Sequence, residues 1–124
     1  MKYKEELIKS MKWLGEKDNT LFLGQATAFS GHAISGTLTE VPKDKLIELP
    51  VMEEVQMGLC TGLSLEGYVP ISIYPRFNFM MLAINQLVNH IDKMKWLLFW
   101  FVLNKKYLYA IYIFFILYET SIYF

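Results

Sequence analysis

The stretch Lys45–Tyr74, KLIELPVMEEVQMGLCTGLSLEGYVPISIY, decides the fold. Lys45–Leu49 is a short apolar strand closed by Pro50. Glu53–Glu66 reads as a helix, and Gly67 supplies the left-handed stop that helix ends favour. Val69–Tyr74, VPISIY, is then a second strand. A strand, a helix and a strand in this order fit an α/β fold with a mostly parallel sheet. Upstream, Tyr3–Lys17 sets Leu7, Met11 and Leu14 at helical spacing with Ile8 beside them, and lysines and glutamates fill the other face. Thr20–Gly24, TLFLG, is a further strand ending in glycine. Gln25–Val41 has no clear period and reads as a loop with one helical turn. Phe77–Lys93 predicts a third helix that buries Phe79, Leu82, Ala83, Leu87 and Ile91. The order predicts an α/β fold of three layers, a mostly parallel sheet flanked by helices.

Composition divides the chain in two. Of 124 residues 54% are hydrophobic, above the roughly 45–50% usual for a globular domain. Residues 1–93 hold 43 apolar residues, whereas 94–124 hold 24 in 31. All 7 glycines and all 4 prolines lie in the first segment, and 12 of 20 aromatics in the second. Net charge is zero, which argues against a basic nucleic-acid binder and an acidic disordered tail. One cysteine, Cys60, excludes an internal disulfide framework and a multi-cysteine metal site. The charged start of the chain, Met1–Lys12, is not a secretory core.

The 94–124 tail holds two apolar runs, Trp96–Leu103 and Tyr107–Tyr118. Each is shorter than the roughly 18–20 residues that span a bilayer. Joined, they would place Asn104, Lys105 and Lys106 near the middle of a membrane, which is costly. Its Phe, Tyr, Ile, Leu, Lys, Asn and Trp usage is that expected of AT-rich DNA read out of frame after Lys93. A membrane-associated helix and an extension of the native core are the alternatives.

Ligands of parallel sheets bind beyond the carboxyl ends of the strands. Here those ends are Gly24–Gln25, the Pro50–Glu53 turn and the Tyr74–Phe79 turn. The chain has no phosphate loop, GxGxxG, HExxH or nucleophile elbow, and His32 and His90 have no partner at metal-ligand spacing. Cys60, flanked by Leu59 and Thr61, reads as a small buried hydrophobe. Gly58 and Gly62 share one helix face and predict close approach of another backbone, either the sheet of this domain or a partner subunit. Glu53 and Phe79 on neighbouring strand ends suit a planar heterocycle, the ring by stacking and the carboxyl by a hydrogen bond to a ring nitrogen. Glu53 equally suits a helix-start acid favoured by the dipole, and Phe79 a core residue.

The ordered set Pro50 and Glu53, Gly58 and Gly62, Gly67 and Pro70, Phe77 and Phe79, then Gln86, Asn89 and Lys93 resembles one family. It is similar to the pyrimidine-binding domain of the beta subunit of 2-oxo acid dehydrogenases, a domain shared with transketolase. The likeness runs over residues 3–93 and stops at the tail, so the chain reads as a truncated, partial domain over 1–93. The resemblance implies thiamine diphosphate as cofactor, in an enzyme acting on a 2-oxo acid or ketose. It implies that Glu53 hydrogen-bonds the aminopyrimidine ring nitrogen and favours the imino tautomer that activates the cofactor. It implies that Phe79 stacks on the ring, and that Gln25 and Val51 also touch the cofactor. Gln25 stands where the family often has glutamate, and an amide cannot relay a proton. Pro75 and Leu82 also depart from the pyruvate enzymes. The Ser30–Leu38 loop departs too, and His32 within it would face substrate.

The resemblance further implies that Mg2+ and the diphosphate are held by an alpha-type partner subunit, because this chain lacks the Gly-Asp-Gly…Asn motif. That makes a hetero-oligomer, inactive as a single chain, located in the cytoplasm. The other functions kept open are a non-catalytic interaction module with this fold, and a small protein attached to a membrane through residues 94–124.

Overall fold

The structure is a computed structural model that describes residues 3–94 together with Ile116 and Leu117. Three parallel strands form its centre: β1 (Thr20–Gly24), β2 (Leu46–Glu48) and β3 (Val69–Tyr74). The order is β2-β1-β3, with Phe22 opposite both Leu46 and Ile71. Residues Ile116–Leu117 form β4, parallel to β3 at Ile73 and Tyr74. The rest of the 94–124 tail, including the apolar runs read as a membrane helix or an out-of-frame product, lies outside the described residues beyond Met94. Among the described residues no helix is long and apolar enough to cross a membrane.

Alternation along the strands sorts side chains to two faces. Phe22, Ile71 and Ile73 pack with Met11 and Leu14 of α1 (Tyr3–Gly15) and with Ile34, Leu38 and Val41 of the long loop. On the opposite face Ser72 meets Gln56 of α2 (Glu53–Leu65), and Tyr74 packs with Met57, Met80 and Ala83. Helices on both faces of a parallel sheet make the α/β class expected from the sequence. β1 and β3 carry the residues predicted for them, and β2 is one residue shorter at each end than predicted.

Each helix obeys the charge and packing of its sequence. Glu5 and Glu6 sit in the first turn of α1 and Lys12 in its last, signs that suit the helix dipole. Gly67, with φ of +93°, ends α2 in the left-handed conformation. There the Gly67 N–H donates to Ser64 and the Tyr68 N–H to Leu63, which satisfies two terminal carbonyls.

Two expectations need correction. The third helix is not continuous over Phe77–Lys93. α3 covers Phe77–Met81 only, and a π-helical turn follows at Gln86–Ile91. The Leu82 and Ala83 N–H groups donate to carbonyls three residues back, which tightens the chain at that point. The tightening turns Met80 and Ala83 inward and leaves Leu82 62% exposed, so Leu82 is not a core residue. The second correction concerns Gly58 and Gly62. A Cβ added at either would meet nothing within 4 Å among the described residues. They do not serve close helix–sheet packing inside this domain.

Candidate functional site

The site lies where β1, β2 and β3 end together. At Gly24 an added Cβ would fall 2.5 Å from the carbonyl oxygen of Ile73, so only glycine lets β1 and β3 approach this closely. The Leu49 N–H donates to the Gly24 carbonyl at 2.9 Å and ties the end of β2 to the same point. The chain then turns at Ala26, whose φ of 55° is left-handed for a residue with a Cβ. Such a conformation costs about 1–2 kcal/mol and persists where its surroundings hold it.

Glu48 holds it. The Ala26 N–H donates to Glu48 Oε1 at 2.7 Å, and the Thr27 and Ala28 N–H groups donate to Oε2 at 2.9 Å each. The Thr27 hydroxyl lies within hydrogen-bond reach of the same Oε2, of the Gly24 carbonyl and of the Ile47 carbonyl. Burial pushes the Glu48 carboxyl up, but the N–H and hydroxyl donors around it outweigh burial and hold it below its ordinary value.

Glu53 opens α2 immediately beyond the Pro50 turn. Its residue is only 5% exposed, unusual for a glutamate at a helix start. The Gln25 side-chain amide donates to Glu53 Oε1 at 3.4 Å. Oε2 has no hydrogen-bond partner among the described residues. The Tyr74 hydroxyl, from the end of β3, donates to the Glu53 backbone carbonyl at 3.4 Å. Burial pushes the Tyr74 phenol up to about 12, against a hydrogen bond with Ser72 that lowers it, so it stays protonated and a donor.

Beneath the site, Gln56 anchors α2 on the sheet. Its buried amide donates to the Ser72 hydroxyl and the Ile73 carbonyl at 3.0 Å, and to the Leu23 carbonyl at 3.3 Å. Cys60, one turn on, is fully buried with its thiol pushed up to about 11 by that burial, which makes it unreactive.

The structure brings Gln25 and Glu53 into contact. Phe79 is half-buried against the cluster of Met57, Tyr74, Met80 and Ala83. Val51 is 68% exposed in the turn before α2. His32 is exposed and makes no hydrogen bond to Gln25 or Glu53. It lines a separate open cavity of about 600 Å³ with Ser30, Ser35, Thr39 and Lys43. Gln86 donates to Glu54 rather than Glu53. Asn89 and Lys93 extend an exposed ladder, Lys93 to Asn89 to Asn85 to Glu54. These motif residues brace the start of α2 and do not enter the site.

Sequence reasoning passed over Glu48 and Tyr74. The signal at Glu48 was a carboxylate in the last position of a three-residue strand, beside a glycine-ended neighbour whose next amides need an acceptor. Among the described residues no three His, Cys, Asp or Glu groups gather as a metal site. No protein-family profile matches the chain, and no curated protein matches it.

Proposed function

We propose that this chain supplies the activating glutamate of a thiamine diphosphate-dependent enzyme acting on a 2-oxo acid or ketose, with Glu53 as that residue. One observation carries the reading. Glu53, a residue only 5% exposed, sits at the strand-end turn of a parallel sheet, with one carboxyl oxygen engaged by Gln25 and the other, which is not a buried atom, making no hydrogen bond among the described residues. The donor set fits an aminopyrimidine. A carboxyl oxygen can hold a proton against a ring nitrogen, and Phe79 and Val51 offer apolar surface near the same end of the sheet. When bound, thiamine diphosphate supplies the electron sink for carbonyl chemistry.

In this reading each residue of the chain has a separate task. Glu53 would offer its carboxyl to a ring nitrogen of the heterocycle. Gln25 donates to Oε1, which orients the carboxyl and leaves the other oxygen for the ring. Tyr74 fixes the backbone at Glu53, and Phe79 would cover the ring. Gln25 relays no proton.

The diphosphate and Mg2+ fall to an alpha-type partner subunit. The exposed α2 face supports such a partner. Among the described residues nothing lies within 4 Å of a Cβ added at Gly58 or Gly62, and Val55 and Leu59 beside them are 55% and 42% exposed. A cytoplasmic location goes with this reading. That same open face, which does not depend on Glu53, favours the second reading, a non-catalytic interaction module. Calorimetry of thiamine diphosphate with Mg2+ on the complex of this chain and its partner separates the two. Cofactor binding supports the first, and partner binding without cofactor binding supports the second.

A further inference from the structure

We propose that Glu48 is a positioning residue that holds the Gln25 amide on Glu53 by clamping the turn after β1. Three consecutive N–H groups, at Ala26, Thr27 and Ala28, converge on one carboxylate. A carboxylate is the side chain with enough lone pairs on two oxygens to take all three. Gln25 stands between two backbone positions with little freedom. Gly24 is pressed against Ile73, and Ala26 is left-handed. The direction of the Gln25 side chain is therefore set by the geometry of its neighbours, and Glu48 holds the one that is strained. Glu48 touches neither Glu53 nor the space beside Glu53 Oε2 by any hydrogen bond, so it acts only through the turn. The value of the clamp for catalysis rests on the proposed role of Glu53, but the clamp itself does not.

The test uses the full chain with no cofactor or partner, reading the Gln25 side-chain amide by two-dimensional NMR. In the native background Glu53→Gln is expected to shift that amide resonance. In Glu48→Ala and in the isosteric Glu48→Gln the same change is expected to move it by less than half as much. The backbone peaks of Ile71 and Ile73 report whether the sheet remains. An undiminished response to Glu53→Gln in either Glu48 variant overturns the proposal. So does loss of the Ile71 and Ile73 peaks in both variants, since Glu48 would then hold the fold and not the Gln25 amide. A chain that keeps the coupling yet binds no thiamine diphosphate with its partner retains the clamp and loses the proposed function.

Discussion

The Gln25 amide reaches Glu53 Oε1 across 3.4 Å and joins the end of β1 to the first residue of α2. Everything around the pair restricts it. Gly24 brings β3 close behind Gln25, Glu48 takes the three amides that follow it, and Tyr74 fixes the Glu53 carbonyl. Glu53 is thereby held with one carboxyl oxygen engaged, at the place where parallel sheets take their ligands.

Glu48 makes acid stability a test of the clamp. Its carboxyl is pushed up by burial and down, more strongly, by the Ala28, Ala26 and Thr27 donors, for a net value below the ordinary 4.5. A lowered folded value means the stabilisation is complete above 4.5 and is lost as pH falls through the folded value. Hydrogen bonds to a charged group are worth about 1.5–3 kcal/mol, so Glu48→Ala should cost about 2 kcal/mol near neutral pH. Glu48→Gln should lose less stability than the native chain on acidification below 4.5. Urea midpoints over a pH series measure both, and equal acid slopes would contradict the assignment.

The glycines separate by what surrounds them. Gly24→Ala forces a Cβ onto the Ile73 carbonyl and should cost about 1–3 kcal/mol through displacement of β1 from β3. Gly62→Ala, in a helix, meets nothing within 4 Å among the described residues and should gain about 0.5–1 kcal/mol. Thermal midpoints moving in opposite directions are expected. A midpoint lowered by Gly62→Ala would mean that a neighbour covers that face.

Much of this was legible in the sequence. TLFLG and VPISIY are short apolar runs bounded by breakers, and both strands form where those breakers put them. Gly67 stops α2 because no other residue adopts its φ as cheaply. The third helix misled because Leu82 and Ala83 both fit an apolar period, while the tightened turn between Phe79 and Ala83 shifts the register after it. Pairing Gln25 with Glu53 required knowing that β1 lies between β2 and β3, beneath the α2 crossover, and Glu48 required knowing that β2 is a neighbour of β1. Such tertiary adjacency leaves no local pattern in the chain.

Cys60 should be silent in the folded chain. With its thiol pushed up to about 11, only a trace is thiolate at neutral pH, and burial blocks access as well. A disulfide reagent should label the native chain at least about 10²-fold more slowly than the urea-unfolded chain. Comparable rates would show that α2 does not rest on the sheet as described.

Gln56 should be the costliest polar residue to truncate. Gln56→Ala removes donors to Leu23, Ser72 and Ile73 and opens a space beneath α2. A loss of about 2–4 kcal/mol is expected from the two effects together. Chemical denaturation reads it directly, and a loss near zero would contradict the anchoring role.

The most direct test of the proposed function compares native chain and Glu53→Gln, each assembled with an alpha-type subunit in thiamine diphosphate and Mg2+. Turnover of a 2-oxo acid or ketose is the measured quantity. The proposed role of Glu53 entails cofactor-dependent turnover in the native complex and a fall of at least about 10²-fold in the variant, the scale of a lost acid–base group. Turnover unchanged by Glu53→Gln would contradict it.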